Sequence, residues 1–287
     1  MSDAARSRSG CCRFGGPRRL EPAGQAVSAA GTAFVWLYSA LVTPALVLLL
    51  LIRAQVGDGL ATSYWWAAVV SAALHTSYAV VLQASYARAE LVVVYPIARA
   101  GAPVLVALAS IALLHLSTPP ALWLGIALIC VGIPLLAGSR ARSTRAGLAG
   151  VLAGIATATT VAAYTLWDGY AVTRLHVDVF SYLALGSLTQ LVVLTAAVTP
   201  QRARLAAVAR SSWRRALPIA VLVPVSYGLV LAALQHVDIP VVAAGRCTSI
   251  LAASILGWWL LDEPRSPRRV AGAALLSLGV AVSALDS

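Results

Sequence analysis

The sequence predicts an all-α polytopic membrane protein, a bundle of nine transmembrane helices built as an inverted repeat, and three observations predict it. Hydrophobic residues fill 60% of the 287 positions and charged residues only 11%, where a soluble domain carries about a quarter charged. Apolar runs of about 20 residues, the length that crosses the hydrocarbon as a helix, recur from one end to the other. The second part of the chain also echoes the first at a fixed offset, which sets the arrangement of the runs.

Taken in order, residues 1–27 come first. The stretch "MSDAARSRSGCCRFGGPRRLEPAGQ" is basic and has no apolar centre, so it reads as a disordered cytoplasmic leader and not as a cleavable signal. Spans follow at 28–52, 63–84, 91–114, 120–138, 147–168, 179–198, 216–234, 239–261 and 267–285. The gaps between them are short, rich in Arg, Gly and Pro, and hold no soluble domain. The span 63–84 carries His75 and Tyr78 on one face, and 91–114 carries Tyr95, Pro96 and Arg99. The span 147–168 is crowded with small residues, Gly150 and Gly154 first, and ends in Tyr164 and Asp168. Gly272 and Gly279 do the same for 267–285, and small residues of this kind let helices approach closely.

The echo has a definite register. A shift of 147 places Arg99 on Arg246, Pro120 on Pro267, Gly125 on Gly272 and Gly132 on Gly279. A shift of 149 places "SYAVVLQA" (77–84) on "SYGLVLAA" (226–233). Corresponding spans lie five crossings apart, an odd number, so the halves sit upside down relative to each other. The first repeat is 28–138 and lacks one member; the second is 147–285. The span 147–168 has no counterpart, and the place for one precedes residue 28. Inverted repeats are characteristic of secondary transporters, which bind substrate near the midplane between the halves.

The runs "VVVYPIARAGAP" and "WLGIALICVGIPLLA", with "AGRCTSILAASILGWWLLDEPRSPRRVAGAALLSLGV" in the second half, resemble the EamA family of the drug/metabolite transporter superfamily. "HTSYAVVLQASY" and "AYTLWDGYAV" resemble the third and sixth helices of one EamA subgroup. The resemblance covers roughly 28–285. It implies ten helices in two five-helix inverted repeats, so this chain corresponds to the family pattern without its first helix. It implies secondary active export of small metabolites or amino-acid-like compounds. The family's usual glutamate at the end of the fourth helix falls on Leu116, while Glu263 fills the matching slot in the second half. Without a first helix, one flank of the first half is expected to lie open near Tyr78 and Arg99, and transport by this chain alone to be poor.

Charges inside spans are the candidate substrate-binding residues. Arg99 lies about 12 Å into its span and Arg246 about 10 Å into its own, entering from the opposite face. An Arg near the centre of a span costs roughly 2.5–3.5 kcal/mol on insertion scales. Two guanidiniums meeting there suit a carboxylate or another planar anion held bidentately. The bland alternative is snorkelling, each long stem returning its charge to the interface. Asp168 is expected to pair with Arg246, to carry a proton, or to sit solvated at the interface. His75 is either a proton carrier or an interhelical hydrogen-bond partner. Tyr78 and Tyr164 share faces with His75 and Asp168, and Tyr95 and Tyr227 are either cavity lining or interface anchors. Asp262 and Glu263, beside Arg265, Arg268 and Arg269, read as loop pairs.

The net charge of +11 is all arginine, and it marks orientation better than a nucleic-acid stripe. Of the 21 basic residues, all but Arg53, Arg174 and the two intramembrane arginines fall in the leader and every second gap. By the positive-inside rule the leader is cytoplasmic, whereas the family's habit would place those gaps outside. Cys11 and Cys12 are adjacent and Cys130 and Cys247 lie in apolar runs, so neither a disulfide framework nor a metal site is implied. No cofactor and no enzymatic motif is read. The competing classes are an inactive or scaffolding membrane protein and a membrane enzyme acting on lipid headgroups. A homodimer, proton coupling, the lipid bilayer and a small-molecule substrate are the expected partners, with the cell membrane as location.

Overall fold

The computed structural model describes residues 23–56, 65–89, 91–115, 118–137, 144–198, 202–252, 255 and 267–285. Every element among them is helical: α1 (Ala23–Val56), α2 (Trp65–Arg88), α3 (Leu91–Leu114), α4 (Pro120–Ala137), α5 (Thr144–Thr173), α6 (Val179–Val198), α7 (Arg202–Ala233), α8 (Ile239–Gly245) and α9 (Pro267–Ser283). Most of the leader, along with Leu116, Asp262, Glu263 and Arg265, lies outside the described residues. Residues 23–27 open α1 instead of extending the leader.

Among the described residues, six helices are long and apolar enough to cross a membrane: Ala33–Gln55, Trp65–Ala87, Val93–Leu113, Leu148–Thr173, Val179–Ala197 and Leu205–Ala233. The expected spans at 120–138 and 267–285 appear as shorter helices, the apolar run Pro120–Leu135 and the 17-residue α9. The run Ile239–Ala252 is apolar as far as it is described.

Several elements depart from their expected outlines, α5 and the run at 239–261 for visible reasons. Helix α5 runs past Asp168 to Thr173, because Gly169 lets the helix continue flush against Ile239, where a Cβ would stand 2.5 Å from its Cδ1. The run expected as one span at 239–261 is interrupted. After α8 the backbone turns at Arg246 and Cys247 before 248–252 resume as helix. There the Cys247 N–H donates to the Ala244 carbonyl and the Ile250 N–H to Cys247, both at 3.0 Å, the tighter i→i+3 pattern that often marks a functional break.

Small residues set the helix contacts. Helices α4 and α9 cross so closely that a Cβ on Gly125 would stand 2.5 Å from the Gly279 carbonyl oxygen, and one on Gly132 2.9 Å from that of Gly272. Helix α5 packs on α3 through Gly150 against Val93 and Gly154 against Ile97. It also packs on α2, while α1 and α2 pack on α6 and α1 on α7. The apolar centre joins Ala67, Val106, Ala162, Val172, Leu231 and Ile239, and so ties α2, α3, α5, α7 and α8 around the polar cluster described next.

Candidate functional site

One carboxylate organises the middle of the bundle. Asp168 is fully buried, and donors from three other helices converge on it. Its Oδ1 accepts from Ser71 Oγ of α2 at 2.6 Å and from Tyr182 OH of α6 at 2.6 Å. Its Oδ2 lies 3.0 Å from His75 Nε2 of α2 and accepts from Tyr227 OH of α7. Ser71 and His75 reach it together because residues four apart share a helix face. A buried charge without partners costs several kcal/mol; here each oxygen accepts two bonds.

The residues around His75 form an aromatic wall. The imidazole stacks on Tyr164 with ring centres 4.1 Å apart and meets Tyr227 edge-on at 4.8 Å. Tyr78 meets Tyr164 edge-on at 5.5 Å. Behind that wall stands Arg246, which the break after α8 turns inward. Its Nη2 donates to Tyr164 OH at 2.9 Å and its Nη1 to Thr165 Oγ1 at 3.3 Å. The guanidinium carbon lies 5.3 Å from the Tyr164 ring centre and 5.8 Å from that of Tyr227. Facing an aromatic ring contributes up to about 2 kcal/mol to a desolvated cation, which offsets part of the burial cost.

Arg99 comes from α3 and lies 5.7 Å from the ring of Tyr95, one turn earlier. Arg99 and Arg246 line one cavity together with Ala102, Pro103, Val106, Val161, Thr165, Ala243 and Cys247. Its water-centre space is about 20 Å³, room for about one water molecule. Among the described residues neither guanidinium has a carboxylate at ion-pair distance. Two cations thus share one wall, which is apolar apart from Thr165 and Cys247. No three His, Cys, Asp or Glu side chains among the described residues converge as metal ligands.

Of the seven residues singled out from the sequence, only Arg99 and Arg246 line this cavity. Tyr164, His75, Tyr78 and Asp168 form the adjoining cluster, and Tyr95 lies beside Arg99. Two expectations for Asp168 are corrected. It is neither interfacial nor paired with Arg246: it sits inside a continuing helix and pairs with His75. Ser71, Tyr182, Thr165 and Cys247 were not singled out. Tyr227, read from the sequence as cavity lining or an interface anchor, joins the Asp168 cluster, and the offset of 149 sets it on Tyr78.

A helical bundle with several membrane-length helices is a multi-pass membrane protein. Residues 148–285 match the EamA-like transporter family. No curated protein matches the chain. One solved structure, described simply as a crystal structure of a protein, superposes with a TM-score of 0.66 over 92% of this chain and 91% of that one, at 16% identity. At that identity the likeness speaks for the fold alone.

Proposed function

We propose that the chain is a secondary active transporter of the cell membrane, not an enzyme, that exports small anionic metabolites of the amino-acid-like class. In this reading, nine crossings form two inverted repeats, 28–138 and 147–285, with substrate bound between Arg99 and Arg246. The observation that carries the reading is the meeting of these two arginines, equivalent under the 147-residue offset, on one cavity wall.

The packing supports the inverted repeat. Exchanging the halves turns the Gly125–Gly279 contact into Gly272–Gly132, and both are present. It turns α1 on α7 into α6 on α2, and both are present too. Contacts that map onto each other in this way are what a two-fold axis generates. Export suits an anion, because an inside-negative potential drives negative charge outward by about 2.3 kcal/mol per 100 mV. A substrate larger than water enters the cavity only if helices move, as alternating access requires, and the interrupted helix at Arg246 offers a place for that movement.

Ligand-induced thermal stabilisation of the purified chain tests the reading. Glutamate, benzoate and related carboxylates should raise the unfolding temperature, and amines of similar size should not. Arg246→Gln should abolish the effect. Stabilisation by amines and not by carboxylates would overturn the reading.

A further inference from the structure

We propose that His75 is a proton-binding site whose charge sets the affinity of the Arg99–Arg246 cavity for an organic anion. This rests on the anion reading above and adds a second ligand, the proton, at a separate position.

The hydrogen-bond geometry selects His75 over Asp168 as the group that takes up the proton. Both carboxylate oxygens of Asp168 already accept from two donors each, Ser71 and Tyr182 on one, His75 and Tyr227 on the other. Four partners that can all donate satisfy an ionised carboxylate and hold it fixed. Opposite an ionised carboxylate, which only accepts, Nε2 of His75 carries the hydrogen. Every hydrogen bond of the ring among the described residues is made through Nε2, which leaves Nδ1 to bind a proton. The side chain is 22% exposed. Imidazole is also the side chain type that changes charge in the physiological range.

The same geometry links His75 to the cavity. Its ring stacks on Tyr164, whose hydroxyl accepts from Arg246, and meets Tyr227, whose ring Arg246 also faces. The groups around it are Asp168 and Tyr164 from α5, Tyr227 from α7, Tyr182 from α6 through Asp168, Tyr78 on its own helix, and Arg246 and Arg99 beyond the wall. The phenols are neutral. The neighbouring charges are therefore one negative and two positive, and protonation of His75 adds a third positive charge.

The Tyr164 ring separates the imidazole from the cavity, 4.1 Å from the imidazole and 5.3 Å from the Arg246 guanidinium carbon. An attraction acting over about 10 Å at an effective dielectric constant near 20 corresponds to on the order of tenfold in affinity. The sign follows from the protonated form. Tight binding belongs to the protonated imidazole and is lost when the proton leaves. By reciprocity, the anion strengthens proton binding by the same factor. Acid in the compartment to which the cavity opens would then load it.

Equilibrium dialysis of radiolabelled benzoate against the purified full chain at pH 6 and pH 8 tests this, benzoate being an anion at both. The dissociation constant should be about tenfold lower at pH 6. In His75→Gln it should be the same at both pH values. Equal constants in the wild-type chain, or a pH dependence that survives in His75→Gln, would overturn the proton site while leaving the anion reading standing. Absence of benzoate binding at both pH values would overturn the anion reading, and this inference with it.

The chain has four histidines, so a variant with His115, His176 and His236 changed to Gln leaves His75 as the sole imidazole and does not depend on folding of the His75 variant. In its ¹⁵N spectrum at pH 7, benzoate should increase the protonated fraction. No change under saturating benzoate would refute the inference.

Discussion

Asp168 holds four helices through one side chain, and its removal should be costly for a reason its neighbours share. Asp168→Ala leaves two tyrosine hydroxyls, a serine hydroxyl and an imidazole facing an empty position, and breaking a buried pair of this kind costs about 3–5 kcal/mol. Tyr227→Phe removes one donor and leaves the other three, so it should cost only about 1–2 kcal/mol. Thermal unfolding in detergent, followed by tryptophan fluorescence, should rank wild type above Tyr227→Phe and that above Asp168→Ala; equal midpoints would contradict the hub. At this scale the charged residues were legible because a charge in an apolar run stands out. Their partners were less so. Ser71 and Tyr182 are ordinary residues in membrane helices, and only folding brings four donors to one carboxylate. The expected span ended at Asp168, whereas the helix continues through Gly169, which serves the close approach of Ile239.

Among the helices, contacts are set by which glycines face a backbone. Gly125→Ala would push a methyl group to 2.5 Å from the Gly279 carbonyl and 2.7 Å from Ser283, and neither neighbour is the end of a flexible side chain. Overpacking of that kind costs about 1–3 kcal/mol. Gly245→Ala meets nothing within 4 Å and exchanges a poor helix former for the best, so it should be neutral or stabilising by up to about 1 kcal/mol. Unfolding midpoints that move the same way in both variants would argue against the described packing. The outlines of α3 and α6 followed directly from their hydrophobic runs, and those of α2 and α4 to within a few residues. The interruption at Arg246 was not legible, since the run 239–261 is apolar on both sides of the arginine. Pro240 and Gly245 were the local hints, and each also occurs in unbroken membrane helices. The basic stretch from Arg202 did not look like a span, yet it continues into α7 as one helix.

For the molecule as a whole, the proposed inverted repeat has a consequence for packing. Helix α5 sits on α2 and α3, and under the proposed exchange of halves that seat maps to α7 and α8. On that reading the flank opposite α5 is the one along exposed Val221, Leu222, Val225 and Leu229, where the sequence reading expected it beside Tyr78 and Arg99. Orientation has its own test. The end of α1 meets the start of α6 where Arg53 lies 3.7 Å from Asp178, on the arginine-poor side, so thiol labelling in intact cells should reach Arg174→Cys from outside and miss Arg210→Cys. The reverse pattern would invert the topology. The central claim, that an anion passes between Arg99 and Arg246, is tested most directly by flux. In vesicles containing the purified chain, radiolabelled carboxylate should move down an imposed potential. Arg246→Gln and Arg99→Gln should each reduce that movement at least tenfold while remaining folded. Undiminished carboxylate flux in the folded Arg99→Gln/Arg246→Gln double variant would contradict the account.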